Sequence, residues 1–165
     1  MTTQYKEHAL GITALGERLS GVSGRHEGVV IGLTGSVASG KTTLANQVAA
    51  VLAEAHTVET VSTDGFLYPN TILEERGLTL RKGFPETYNA EALGDAIAAL
   101  STGTADFPGY SHVTYDVDPG MTRTIAQPDI LILEGLGFQP LSPPPRPARE
   151  PDYLVYLDAS EDDLL

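Results

Sequence analysis

The chain has 165 residues, no cysteine, and a formal net charge of −12 from 10 basic and 22 acidic side chains. A hydrophobic content of 41% is typical of a soluble globular domain, and no run of residues is long and apolar enough to span a membrane. The lack of cysteine excludes disulfides and thiolate metal sites and fits a cytoplasmic protein, while the acidic surface would repel nucleic acids and anionic membranes, so we expect neither as a partner.

The first 27 residues differ in character from the rest of the chain. Tyr5 to Leu19 is predicted to form a helix, and the glycine and serine residues that follow it are typical of a linker. We therefore predict an N-terminal helix and linker over residues 1–27, and a single domain over residues 28–165.

The domain opens with a strand, a glycine-rich loop and a helix. Val29 to Leu33 is a short apolar run that predicts a buried strand, and Thr43 to Ala55 contains no proline or glycine, which favours a helix. Between them, GSVASGKT matches the phosphate-loop pattern G-x-x-x-x-G-K-[ST]. Backbone N–H groups of such a loop, together with the positive end of the helix, surround a phosphate chain.

We therefore predict that this loop binds a nucleoside triphosphate. Lys41 would reach the terminal phosphates, and the hydroxyl of Thr42 would bind Mg²⁺. The predicted nucleotide-binding residues are Gly35, Ser36, Val37, Ala38, Ser39, Gly40, Lys41, Thr42 and Thr43.

Two acidic residues follow predicted strands. β-branched residues recur along His56 to Ser62, which predicts a second strand that leads to Asp64. Groups at the carboxyl ends of parallel strands face the ligand crevice. Asp129 to Leu133 is a continuous apolar run, as expected of a parallel strand buried on both faces, and it ends at Glu134. We predict that Glu134 lies on the metal side of the phosphate loop, together with Thr42. Alternatively, Asp64 is an ordinary turn aspartate before Gly65, and Glu134 only caps the end of its strand.

The remaining segments complete an α/β pattern. In chain order they are a short helix (71–76), a loop (78–88), an amphipathic helix capped by Asn89, a turn and short-strand segment (107–116), a proline-rich connection (140–151), a fourth strand (153–157) and the start of a helix at 160. The phosphate loop and this pattern predict a P-loop NTPase fold, and for that fold we expect a parallel sheet of four strands in the order 2-3-1-4, flanked by helices.

Several separate motifs resemble type I (bacterial) pantothenate kinase, a member of the P-loop kinase superfamily that also holds uridine kinase and phosphoribulokinase. These motifs are GSVASGKT (35–42), TDGFLYPN (63–70), LEERGL (73–78), RKGFPE (81–86), YSH (110–112) and QPDILILEGL (127–136). The resemblance runs from about residue 29 to residue 165, and the second, fourth and fifth motifs are much more specific than the phosphate loop alone.

The resemblance implies ATP-dependent phosphorylation of the primary hydroxyl of pantothenate, with Mg²⁺, as the first step of coenzyme A biosynthesis. It implies that Asp64 is the catalytic carboxylate, that Lys41 and Thr42 serve the phosphates and Mg²⁺, and that Glu134 supports the metal. Asp64, Tyr110 and His112 would line the substrate pocket. Coenzyme A would be a feedback inhibitor, and the protein would form a homodimer.

The sequence also departs from this family. Gly137 stands where the family usually has asparagine, and the chain stops at Leu165, where the family continues into a lid helix. We therefore expect residues 28–165 to be a P-loop kinase domain truncated at its C-terminus, without the C-terminal strand and lid. Such a domain should bind nucleotide better than it phosphorylates pantothenate. A uridine kinase-like small-molecule kinase and a nucleotide-binding module with little catalysis remain alternatives.

Overall fold

The computed structural model describes residues 28–36, 39–138 and 149–157, together with the single residues Ala14 and Glu17. Both single residues are helical, and the other residues of the helix predicted over 5–19 lie outside the described part. The same holds for most of the proline-rich connection and for the helix start predicted at residue 160. Among the described residues, no helix has the length and apolar character needed to cross a membrane.

The described chain alternates strands and helices and includes one hairpin. In chain order the elements are β1 (Val29–Gly35), α1 (Lys41–Leu52), β2 (Val58–Ser62), α2 (Asn70–Glu75), α3 (Ala90–Leu100), β3 (Thr104–Ser111), β4 (Asp116–Ala126), β5 (Ile130–Glu134) and β6 (Tyr153–Leu157). Short 3-10 turns occupy Thr63–Phe66, Thr79–Arg81 and Pro85–Thr87.

The central sheet has four parallel strands in the order β2-β5-β1-β6. Since β5 and β6 are the third and fourth predicted strands, the predicted order 2-3-1-4 is confirmed. The register places Glu134 beside Leu33 of β1 and beside Ser62 of β2. Strands β2 and β5 therefore end level with each other, and β1 continues two residues further, to Gly35, so the loops that follow the three strands share one edge of the sheet.

Each face of the sheet carries its own apolar core, because side chains of a strand alternate between faces. On one face β1 and β5 pack against α1, through Val29, Ile31, Leu33, Ala45, Val48, Leu52, Ile130 and Ile132. On the other face the sheet packs against α3 and the hairpin, through Val30, Val61, Phe66, Leu93, Ile97, Leu100, Ala105, Phe107, Ile125, Leu131 and Leu133. The continuous apolar runs of β1 and β5 are explained by this double coverage.

The β3–β4 hairpin differs from the prediction. The sequence indicated only turns and a short strand over 107–116, whereas two antiparallel strands extend from residue 104 to residue 126. Most of β4 is exposed, so it lacks the apolar alternation from which strands are predicted. The hairpin is anchored by the buried Phe107 and Ile125, and the Phe107 ring meets Phe66 edge to face at 6.0 Å.

The helices agree with the sequence apart from their ends. Helix α1 begins at Lys41, two positions before the predicted start, and ends at Leu52 rather than at Ala55. In α3 the predicted N-cap is confirmed, since the side chain of Asn89 accepts a hydrogen bond from the Ala92 N–H at 3.1 Å.

Candidate nucleotide and acceptor site

The phosphate loop joins β1 to α1, and its glycines are required for two different reasons. Gly40 adopts the left-handed conformation (φ 83°, ψ 22°), and an added Cβ would meet nothing within 4 Å, so the requirement is conformational. Gly35 has a φ of 155°, and a Cβ there would lie 2.5 Å from the carbonyl oxygen of Leu157. Val37 and Ala38, two of the predicted nucleotide-binding residues, lie outside the described residues.

The polar groups of the loop are arranged around its interior. Lys41 Nζ donates hydrogen bonds to the carbonyl oxygens of Gly35 at 3.2 Å and Ser36 at 2.6 Å. Ser39 Oγ is buried and has no hydrogen-bond partner among the described residues. A buried hydroxyl without a partner is costly, and an anion held in the loop would satisfy it. Thr43 is exposed in the first turn of α1.

Glu134 lies beside the start of α1. Its side chain lies on the α1 face of the sheet, the same face as Ile130 and Ile132. Thr42 Oγ1 donates to its Oε1 at 3.2 Å. Burial raises the pKa of this carboxyl, and the negative charge of Asp64 adds to the increase, whereas Thr42 and Lys41 act against it. The structure therefore brings the two predicted metal-binding residues together.

Asp64 lies in the 3-10 turn that follows β2. Its N–H donates to Ser62 Oγ at 3.3 Å, and its Oδ1 accepts a hydrogen bond from the Tyr88 hydroxyl at 3.2 Å. Because Ser62, the last residue of β2, pairs with Glu134, the turn that holds Asp64 begins at the same edge of the sheet as Glu134. The two predicted acidic residues thus share one edge.

The hairpin crosses directly over the Asp64 turn. A Cβ on Gly65 would lie 1.8 Å from the carbonyl oxygen of Pro108, so only glycine permits this approach. Tyr110 follows shortly after, and burial raises the pKa of its hydroxyl, with the charge of Asp64 as the next cause. The Tyr110 ring meets the exposed His112 at 5.2 Å. The structure therefore places two of the three predicted substrate residues, Tyr110 and His112, on the hairpin, which crosses over the turn that holds the third, Asp64.

Tyr110 and its neighbours on the hairpin form one wall of the candidate site, called the hairpin wall below. Sequence reasoning missed the residues that surround it. Lys82 Nζ lies 5.1 Å from the centre of the Tyr110 ring, and it donates to Asn70 Oδ1 at 2.5 Å and to the carbonyl oxygen of Tyr115. Tyr115 itself has a φ of 53°, which is unusual for a residue other than glycine. The motifs that hold Asn70 and Lys82 were visible in the sequence, but their contacts cross the chain and carry no sequence signal.

The oxygen atoms of Thr42 and Glu134 suit Mg²⁺, which prefers hard oxygen ligands and binds through few protein groups. Within the described ranges, no cluster of three or more histidine or acidic residues could hold a metal unaided. The chemistry of the donor set therefore fits a cation that takes its other ligands from phosphate and water.

The parallel sheet and the loop between β1 and α1 define a P-loop protein of the α/β class. The chain matches the sequence profile of the phosphoribulokinase/uridine kinase family over residues 30–164, and it belongs to that family of kinases.

Curated relatives and a solved structure agree with this assignment. The chain is 44% identical over 150 residues to the pantothenate kinase of Cutibacterium acnes, covering 82% of this chain and 45% of that one. It is 43% identical over 158 residues to the pantothenate kinase of Corynebacterium aurimucosum, covering 93% and 51%. The chain thus spans about half the length of the curated relatives it matches. A protein of Silicibacter sp. TM1040 assigned as a fructose transport system kinase superposes with a TM-score of 0.81 at 27% identity, covering 94% of this chain and 78% of that one.

Proposed function

We propose that the chain is the nucleotide-binding and catalytic part of a kinase that transfers the γ-phosphate of ATP to the primary hydroxyl of pantothenate. The observation that carries this proposal is the convergence of the phosphate loop, Glu134 and the Asp64 turn at one edge of the sheet. The substrate is supported by the similarity to pantothenate kinases over most of the chain.

In the proposed reaction the acceptor oxygen attacks the γ-phosphorus of ATP. The bond from that phosphorus to the oxygen bridging it to the β-phosphate breaks, so that ADP and 4′-phosphopantothenate are formed. Asp64 accepts the proton of the attacking hydroxyl. Lys41 neutralises charge on the phosphate oxygens, and Tyr110 and His112 hold the acceptor on the hairpin side.

Thr42 and Glu134 are the residues that would hold Mg²⁺. When bound, this cation neutralises charge on the β- and γ-phosphates. The raised pKa of Glu134 supports this role, because a buried carboxylate is stabilised when a cation lies beside it.

Three further properties belong to the same proposal. Coenzyme A acts as a feedback inhibitor that uses the region of Lys41 and His112, the protein forms a homodimer, and it works in the cytoplasm. Competition between coenzyme A and ATP tests the first property, and sedimentation of the purified protein tests the second. The division into residues 1–27 and a kinase domain from residue 28 is also proposed, and it is tested by limited proteolysis.

A substrate panel tests the proposed function. The purified chain is mixed with Mg²⁺, ATP labelled in its γ-phosphate, and either pantothenate or uridine, while ATP binding is measured separately by calorimetry. We expect label to pass to pantothenate in preference to uridine. Transfer to uridine alone would identify a uridine kinase-like enzyme, and ATP binding without transfer would identify a nucleotide-binding module.

A further inference from the structure

We propose that Tyr88 is a positioning residue for Asp64: its buried hydroxyl engages Oδ1 and so leaves Oδ2 to meet the acceptor hydroxyl. The inference rests on the proposed function, in which Asp64 receives the proton of the acceptor. Tyr88 lies 24 positions away along the chain, within a segment whose sequence predicts only a loop.

The contact joins a fixed group to one that could otherwise rotate. The Tyr88 hydroxyl lies 3.2 Å from Asp64 Oδ1, and the tyrosine is only 4% exposed. Asp64 is half-buried, at the edge where the strands end. A carboxylate has two equivalent oxygens, and a hydrogen bond to one of them selects a side-chain orientation and presents the other oxygen in a fixed direction.

Tyr88 is held to the Asp64 turn through the backbone. Leu67 and Tyr88 form an antiparallel bridge. On either side of it, the Tyr68 N–H donates to the Thr87 carbonyl at 2.9 Å, and the Asn89 N–H donates to the Phe66 carbonyl at 2.7 Å. The two segments therefore move as one unit, and the distance between the tyrosine and the aspartate is set by main-chain hydrogen bonds.

The other side of the tyrosine is closed by the loop after β5. A Cβ on Gly137 would lie 3.2 Å from Tyr88 Cδ1, so the ring has little room to swing. The same Cβ would lie 3.3 Å from Cβ of the fully buried Thr63, and the Gly137 N–H donates to Thr63 Oγ1 at 3.4 Å. The loop after β5 therefore packs against both Thr63 and Tyr88, beside Asp64.

The hydroxyl stays a donor over the working pH range. Burial raises the pKa of Tyr88 far above its ordinary value, and the charge and hydrogen bond of Asp64 act in the same direction, against a smaller opposite effect of Thr63. An ionised tyrosine could not donate to a carboxylate. The protonated form is therefore the one that meets Asp64.

A double-mutant cycle on the full chain tests the positioning role. Phosphate transfer to pantothenate is measured for the wild type, Tyr88→Phe, Asp64→Asn and the double variant. We expect Tyr88→Phe to lower kcat by about 10-fold to 100-fold, the rate equivalent of one hydrogen bond to a charged group, and to leave the KM for ATP within about twofold. In the Asp64→Asn background the same change should have no further effect on kcat, because Tyr88 acts through Asp64.

Tyr153→Phe is the matched control, since this ring packs on the α1 face of the sheet. It should leave kcat and KM unchanged. An equal loss of kcat from Tyr88→Phe in both backgrounds would overturn the positioning role. So would a loss of ATP affinity that accompanies a fall in Tm, because that result would indicate a purely structural tyrosine.

A second measurement needs no turnover. In protein labelled with carbon-13 at the tyrosine Cζ, the Tyr88 resonance is assigned as the signal missing from Tyr88→Phe. We expect Asp64→Asn to shift this resonance, whereas an unmoved signal would contradict the contact. If the wild type transfers no phosphate to any acceptor, the proposed function is wrong, and the resonance then decides whether Tyr88 positions Asp64.

Discussion

The hydroxyl of Thr42 donates to Oε1 of Glu134 at 3.2 Å, although 92 positions separate the two residues. The contact joins the first turn of α1 to the last residue of β5. It forms because β5 lies directly beside β1, in a register that sets Glu134 opposite Leu33. The alternation of side chains along β5 then directs the carboxylate toward α1 rather than toward the hairpin. One strand pairing therefore builds the metal side of the proposed site.

Glu134→Gln should stabilise the protein without bound metal. Because burial raises the folded-state pKa of Glu134, the folded protein binds its proton more tightly than the unfolded chain does, and stability falls as pH rises from 4.5 through the raised pKa. The variant escapes this loss. We expect its Tm at pH 8, with a chelator present, to exceed that of the wild type by about 2–4 °C.

The difference in Tm between the variant and the wild type should disappear as the pH falls below 4.5, the ordinary pKa of a glutamate. Glu134 is then protonated in both the folded and the unfolded state. Thermal unfolding of both proteins between pH 4 and pH 8 checks the trend. A gain that stayed constant with pH would show that it does not arise from the charge of Glu134.

Lys41→Met should weaken ATP binding while keeping the aliphatic part of the side chain. The ammonium group lies against the carbonyl oxygens of Gly35 and Ser36, within the loop that would hold the phosphates. Loss of its charge-assisted hydrogen bonds should raise the Kd for ATP by about 10-fold to 100-fold, as measured by calorimetry.

Lys82→Met is the control for this change, because Lys82 contacts the hairpin wall rather than the phosphate loop. It should alter ATP affinity by less than about twofold. Equal weakening by both variants would point to the overall charge of this acidic protein rather than to a specific contact.

Asp64→Asn should abolish most of the proton transfer and leave nucleotide binding nearly intact. We expect kcat to fall by about 10² to 10⁴ with an unchanged Kd for ATP, since the side chain of Asp64 contacts Tyr88 rather than the phosphate loop. Asp95→Asn, on the exposed side of α3, is the matched control and should retain full activity. Turnover that survived in Asp64→Asn would show that another group accepts the proton.

Gly135→Ala should destabilise the fold more than the same change at Gly103. Both glycines have positive φ values, 145° and 155°, so both substitutions carry backbone strain. An added Cβ at Gly135 would lie only 1.9 Å from Thr63 Oγ1, whereas one at Gly103 would meet nothing within 4 Å. We expect Gly135→Ala to lower the free energy of unfolding by about 1–3 kcal/mol more than Gly103→Ala, in urea titrations. Equal losses would mean that Thr63 moves aside freely.

The central sheet could be predicted because its signals are local. The β1 and β5 runs are continuously apolar, and the phosphate loop marks the junction of a strand with a helix. The resemblance to P-loop kinases then supplied the strand order. The acidic residues after two of the strands could be placed at one edge because parallel strands end together.

The hairpin and its contacts could not be predicted in the same way. Strand β4 is mostly exposed, and β3 is interrupted by a register shift between Phe107 and Gly109, so neither shows a regular apolar alternation. Tyr88 meets Asp64 beside the bridge between Leu67 and Tyr88, and Lys82 meets the Tyr110 ring of β3. Such pairings depend on tertiary packing, and no spacing along the sequence encodes them.

The two apolar cores lie on opposite faces of the sheet and have no buried residue in common. The α1 core supports the helix that follows the phosphate loop, and the α3 core supports the hairpin beside Asp64. Substitutions that reshape the hairpin wall can therefore accumulate during evolution without disturbing the packing beneath the phosphate loop. Under the proposed function, proteins that descend from one ancestral domain could change their acceptor alcohol while their ATP-binding site stays unchanged.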